Sequence, residues 1–414
     1  MLGTRRSQAS KPRLLSELSV RGAAAPRFSA VRELFQRSFT SGDEWGAALC
    51  VWHQGEIVID LWGGLRDRER RVPWNADTLS TAFSATKGLV ALCFLMLADR
   101  GELDYDAPIA RYWPEFGQGG KDTISVRTLL NHRSGLLGVD RPVSLQMLEG
   151  DAEDLAGILA AQRPAWPAGE SQGYHGVTYG LYAAELFRRA AGCSLGEFIA
   201  REISGPLKAD VYLGLPPALE RRVATNYPAT TRERIFKMLP QLLRDSTEGR
   251  VFREVVRGGD AAYAFSQPSQ LGPRSLHNFN SPRVHAMQLG WANALVSARG
   301  LCRVYAALAA GGSIDSVSLV KPDSLLPLRE RQSWSERDRV LRKPLGWTQG
   351  FLKEEVGMFS PNTQSFGHPG AGGALGWCDP VNRLAIAYLP NKMAYHIRSP
   401  RARALCAAIY ACVR

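Results

Sequence analysis

Strand-like sequence at both ends of the chain, with helical sequence between, most constrains how these 414 residues fold. Residues 47–53 (AALCVWH) and 56–62 (EIVIDLW) are β-rich and flank Gln54-Gly55, a short turn signal, so they predict an antiparallel hairpin. The pattern returns near the other terminus. Residues 374–378 and 383–389 are strand-like, separated by Asp379-Pro380-Val381-Asn382, and residues 400–413 read as a closing helix. One arrangement satisfies both ends: an antiparallel sheet built from both termini and flanked by helices, with a mostly helical domain inserted, an α/β (α+β) class. The expected division is a flexible basic arm over 1–25, a sheet domain from 26–113 and 286–414, and the helical insert over 114–285.

Helices are predicted over 86–100 after a Ser84 start, over 126–131 and 179–191, and from about 298 to 310, ending at the C-cap signal Gly311-Gly312. The longest nearly uncharged apolar run, residues 89–98 (LVALCFLMLA), is half of the roughly 20 residues a bilayer requires. No membrane span is expected. The first 21 residues are basic and contain serine but lack an apolar h-region, which argues against a secretory signal. Residues 228–260 mix Arg and Glu with Ile235, Phe236, Leu239, Leu242 and Leu243, which fits a surface helical hairpin or an amphipathic flap beside a cleft.

At 45% apolar and 22% charged residues the chain is globular, which excludes disorder. Its net charge of +12 would suit an acidic partner, but the basic residues are interleaved with acidic ones, as in Arg66-Asp67-Arg68-Glu69-Arg70-Arg71. A solvated face is the better reading, and no nucleic-acid partner is expected. Seven scattered cysteines without a CxxC pair suit reduced thiols in a cytoplasm. The seven histidines show neither HxxxH nor HExxH spacing, so no metal and no cofactor is expected.

Three segments could carry chemistry. Ser84-Ala85-Thr86-Lys87 places a hydroxyl and an amine three residues apart where an apolar helix begins, so both lie on one face. A serine hydroxyl needs a nearby base, and a desolvated lysine can serve. Such a spacing alone is common, and an N-cap serine followed by a solvated lysine would produce it too. Gly173-Tyr174-His175-Gly176 is a loop that delivers a tyrosine, whose phenol can exchange a proton if Lys87 stabilises its anion; a half-buried aromatic is the plainer alternative. The Gly-rich run from Gly367 through His368, Pro369 and Gly370 to Gly376 misses GxGxxG and leads into a strand, not a helix. Its glycines would let an edge strand approach a ligand and offer the Ala371 N–H to an oxyanion.

In this order, Ser84-x-x-Lys87, Tyr174-His175-Gly176 and His368-Pro369-Gly370 resemble the three motifs of the serine β-lactamase and penicillin-binding-protein fold. The nearest likeness is to the class C β-lactamase-like branch called family VIII carboxylesterases. Leu61-Trp62-Gly63-Gly64, the LLNHRSGL run from Leu129 and GHPGAGGALGWCDP from Gly367 extend the likeness from about Arg27 to the C-terminus. The resemblance implies a β-lactamase/transpeptidase-like fold and a two-step acyl transfer. Ser84 would attack the carbonyl, Lys87 and Tyr174 would remove its proton, Tyr174 would protonate the leaving alkoxide, and water would deacylate the enzyme. The backbone N–H groups of Ser84 and Ala371 would form an oxyanion hole, worth about 3 to 4 kcal/mol per lost donor. His368, Gly370, His175 and Gly176 would bind substrate.

Two departures bear on that substrate. Gly176 stands where the β-lactamase pattern has an asparagine that would hold a β-lactam amide, and His368-Pro369-Gly370 replaces Lys-Thr-Gly, removing a permanent cation. Weak or absent penicillin hydrolysis and a small or medium uncharged ester substrate follow. An acyltransferase passing the acyl group to an alcohol or amine in secondary metabolism would use the same residues, and a non-catalytic binding module would keep the fold alone. The oligomeric state is not legible.

Overall fold

The computed structural model describes residues 19–150, 152–230, 240–241 and 244–413. Val20–Ala24 (β1), Gly46–His53 (β2) and Glu56–Asp67 (β3) come from one end of the chain. Ser333–Ser335 (β4), Leu345–Thr348 (β5), Phe351–Lys353 (β6), Phe366–Pro369 (β7), Leu375–Asp379 (β8) and Leu384–Pro390 (β9) come from the other. They pair antiparallel in the order β1-β3-β2-β9-β8-β7-β6-β5-β4, with Val72–Pro73 added beside β3. The two ends meet where β2 joins β9, in register from His53 with Leu384 to Ala47 with Pro390. Gln54 and Gly55 both have positive φ, 52° and 108°, as the tightest hairpin turn between β2 and β3 demands.

The sheet alternates its side chains between two layers. Leu49, Val51, Ile386 and Tyr388 share one core with Phe35 and Phe39 of Ser29–Thr40 (α1). A second core holds Thr86–Asp99 (α2), Thr178–Ala191 (α3) and Ala298–Ala309 (α4). Helix α4 packs on the face carrying the small residues Ala48, Cys50, Ala385 and Ala387, which leave room for a helix. Pro400–Val413 (α5) closes the first core through Leu405 and Ile409. Helix α2 is buried from Thr86 to Leu97, so its apolar run from Leu89 to Ala98 belongs to an interior helix. Among the described residues no helix is long and apolar enough to cross a membrane.

The arm expected over 1–25 is corrected at its end. Val20–Ala24 pairs with β3 from Val20–Gly63 to Ala24–Ile59, and Gly22 sits where a Cβ would meet the Asp60 carbonyl at 2.0 Å. An edge strand held by backbone bonds, with Val20 its one buried residue, carries no alternating apolar pattern to announce it. The rest of that arm, residues 1–18, lies outside the described residues, as do Ile235, Phe236, Leu239, Leu242 and Leu243 of the predicted hairpin. Strand β7 is likewise not an edge strand, since it lies between β6 and β8. Its pairing with β6 is the single Leu352–Gly367 match, so the chain beyond it is freed on one side.

Candidate active site

Ser84 lies in the short turn Phe83–Ala85 that leads into α2, and the helix begins at Thr86, as expected. Phe83 holds a φ of 45°, a left-handed conformation unfavourable for an aromatic residue, and its ring is packed on Phe279 at 5.3 Å. One turn after Ser84, at the start of the helix, Lys87 is fully buried. Its Nζ donates to the Gly176 carbonyl at 2.9 Å and the Trp291 carbonyl at 3.0 Å, and lies 3.4 Å from Ser84 Oγ. A solvated lysine is thereby excluded. Burial drives its ammonium well below the usual lysine range. With two hydrogens taken by carbonyls, the neutral amine keeps its lone pair for the Ser84 hydroxyl.

Tyr174 completes the group from the opposite core. Its ring centroid is 5.0 Å from Lys87 Nζ, and its phenol adjoins Ser84 on the wall of the same cleft, where the serine hydroxyl favours the phenolate. Burial pushes the phenol up to about 12, against the opposing pull of that hydroxyl and of Arg398. The backbone of Tyr174 is pinned by a residue that sequence patterns did not reveal. Asp338 is completely buried, and its Oδ1 accepts from the N–H groups of Tyr174 at 3.1 Å, Val340 at 2.9 Å and Leu341 at 2.9 Å.

Ser84 and Tyr174 open into a cleft of about 320 Å³, walled mainly by apolar groups such as Phe265, Leu276, Leu341 and Ile397. That is the size expected of a small-molecule site. His368, Gly370 and Ala371 also line it. The His368 Nδ1 lies 2.7 Å from the Pro369 carbonyl and so carries the hydrogen, leaving Nε2 as an acceptor, with no partner among the described residues. Burial and the nearby Lys87 hold this imidazole well below the usual histidine range, hence neutral. Gly370 permits a close approach, since a Cβ there would sit 2.2 Å from the Ala82 carbonyl, two residues before the serine. Arg398, ion-paired with buried Glu354, adds a positive charge to the wall.

Two expected substrate contacts are corrected. His175 is fully buried, with Nε2 2.9 Å from Ser134 Oγ and Nδ1 2.6 Å from the Gly173 carbonyl, so both ring nitrogens are occupied away from the cleft. Its own N–H donates to His132 Nδ1 at 2.9 Å, which makes the pair a brace behind Tyr174. Gly176 does not line the cleft; its carbonyl holds Lys87, and its α-carbon faces the Phe265 ring. Among the described residues no cluster of three His, Cys, Asp or Glu is placed to hold a metal.

Four matches to known proteins accompany this meeting of a buried amine, a phenol and a hydroxyl at an apolar cleft. The family model described as Beta-lactamase matches residues 31–408. The esterase/beta-lactamase LipL of Mycobacterium tuberculosis (strain ATCC 25618 / H37Rv) is 34% identical over 375 residues, which cover 90% of this chain and 83% of LipL. The crystal structure of a family VIII carboxylesterase superposes with a TM-score of 0.83 at 34% identity, covering 95% of this chain and 100% of that one. A penicillin-binding protein homolog from Caulobacter crescentus gives a TM-score of 0.83 at 33% identity with the same coverage. The chain belongs to the beta-lactamase family of serine hydrolases.

Proposed function

We propose that the protein is a carboxylesterase that cleaves small or medium uncharged esters through an acyl-enzyme on Ser84. The observation that carries this reading is the contact of one hydroxyl with two proton carriers, Lys87 at 3.4 Å and Tyr174, at the mouth of an apolar cleft. Neutral Lys87 takes the Ser84 proton, directly or through Tyr174, as Oγ bonds to the ester carbonyl carbon. The N–H groups of Ser84 and Ala371, both on the cleft wall, receive the oxyanion. Tyr174 then protonates the departing alkoxide, and a water deprotonated by the same pair releases the acid. His368 and Gly370 line the substrate's path. A neutral imidazole at His368 in place of a permanent cation leaves Arg398 as the cation of the wall, and its charge is already paired with Glu354, which favours uncharged esters over penicillins. The seven unpaired cysteines fit a reducing compartment such as the cytoplasm.

The test is hydrolysis of p-nitrophenyl butyrate with labelling by a fluorophosphonate. Wild type is expected to turn over the ester and take the label on Ser84, and Ser84→Ala to lose at least about a thousandfold in kcat/KM. Equal rates in the two proteins would sink the reading.

A further inference from the structure

The missing side chain at position 176 has left a space, and that space is filled. A Cβ built on Gly176 would lie 2.4 Å from Cε1 and 2.6 Å from Cζ of Phe265. Phe265 follows the short helix Asp260–Tyr263, lies 6.4 Å ring to ring from Tyr174, and forms part of the cleft wall. It is partly buried against both hydrophobic cores, so it sits at their junction, on the cleft wall beside Tyr174.

The segment that carries this ring is fastened. Tyr263, two residues earlier, lies over a second glycine, Gly138, where a Cβ would come within 2.6 Å of its ring. The Tyr263 hydroxyl donates to Asp140 Oδ1 at 2.6 Å, and Arg339 binds Asp260 at 2.7 Å. Two aromatic rings of one segment thus fit over two glycines of the layer below. A ring fixed in this way is a wall, since moving it would break packing on both sides.

We propose that Phe265 is the specificity-determining residue of the cleft, setting the width available to the ester group that lies against Tyr174. The preferred substrates are esters slim at that point, with unbranched aliphatic groups, and the enzyme rejects groups that branch or carry an amide beside the reacting carbonyl. This rests on the esterase reading of Ser84 given above. Packing contacts of this kind discriminate by about 10- to 200-fold.

The test compares three esters, p-nitrophenyl butyrate, p-nitrophenyl pivalate with a branched acyl group, and 1-naphthyl butyrate with a wide alcohol. Each is measured in wild type, Phe265→Ala, Gly176→Ala and the double variant. Phe265→Ala is expected to raise kcat/KM for pivalate or for the naphthyl ester, relative to p-nitrophenyl butyrate, by about tenfold. The ester that gains shows which side the ring bounds. Gly176→Ala is expected to lose activity on all three, and removing the ring in the double variant to restore it. Should Phe265→Ala fail to fold, Phe265→Leu carries the same comparison. Both ratios staying within twofold of wild type in an active variant would overturn the proposal. A wild type without Ser84-dependent hydrolysis would instead remove the esterase reading, and this proposal with it.

Discussion

Lys87 is costly as an ammonium and useful as an amine. Its side chain is fully buried, and its hydrogen-bond partners are neutral oxygens. Its folded-state proton affinity lies below the ordinary lysine value, so kcat/KM should fall on the acid side as Lys87 takes up its proton and hold level on the alkaline side toward the Tyr174 value of about 12. A pH–rate profile from 5 to 10 measures this, and Lys87→Ala should lose at least about a hundredfold at every pH. Asp338 acts on the same chemistry by holding the Tyr174 backbone. Asp338→Ala leaves three N–H groups without acceptors and should lower kcat more than it raises KM, with a stability loss of about 2 kcal/mol. Asp338→Asn, which keeps an acceptor oxygen, should recover much of the rate. Ser84, Lys87 and Tyr174 were legible because their chemistry is tied to short motifs. Asp338 was not, because it lies among charged neighbours, Ser335-Glu336-Arg337-Asp338-Arg339, that read as solvated, and its partner is a backbone group 164 residues away.

Among the elements, the two hairpins were readable from turn chemistry, and the second turn shows why. Asp379 Oδ1 accepts from the N–H groups of Val381 at 2.9 Å and Asn382 at 3.2 Å, so the side chain builds the bend. The interior helix was readable from its unbroken apolar run, whereas the edge strand β1 had no such signal. How closely α4 packs on the sheet was also hidden, because it depends on glycines far apart in sequence. The Tyr305 ring of α4 fits between strand β8 and helix α2. A Cβ at Gly376 would meet it at 2.2 Å, and one at Gly88 would lie 2.1 Å from its hydroxyl. Gly376→Ala should therefore destabilise the protein by about 1 to 3 kcal/mol, since neither layer can yield. Urea unfolding measures it through a lowered midpoint at unchanged slope.

Across the whole molecule the active site is a seam between two cores. Ser84, in the turn before α2, and Lys87, in its first turn, belong to one, and Tyr174 is packed into the other beside Trp166 and Trp347. The antiparallel sheet with flanking helices was legible from the ends of the chain, but this seam was not, because the cores meet only in space. Buried along it are His132, His175 and His368, each held below the ordinary histidine range chiefly by burial. For His175 the folded value is about 4, against 6.5 in the unfolded chain. Between those values the unfolded chain binds the proton and the folded one does not, so stability is complete above pH 6.5 and falls as pH drops toward 4. His175 alone accounts for about 3 kcal/mol across that window, and the other two act in the same direction. Urea midpoints at pH 7.5 and pH 4.5 should differ accordingly, and His175→Gln, with no proton to gain, should flatten the dependence. An unchanged slope in His175→Gln would mean that the seam opens to acid through other groups.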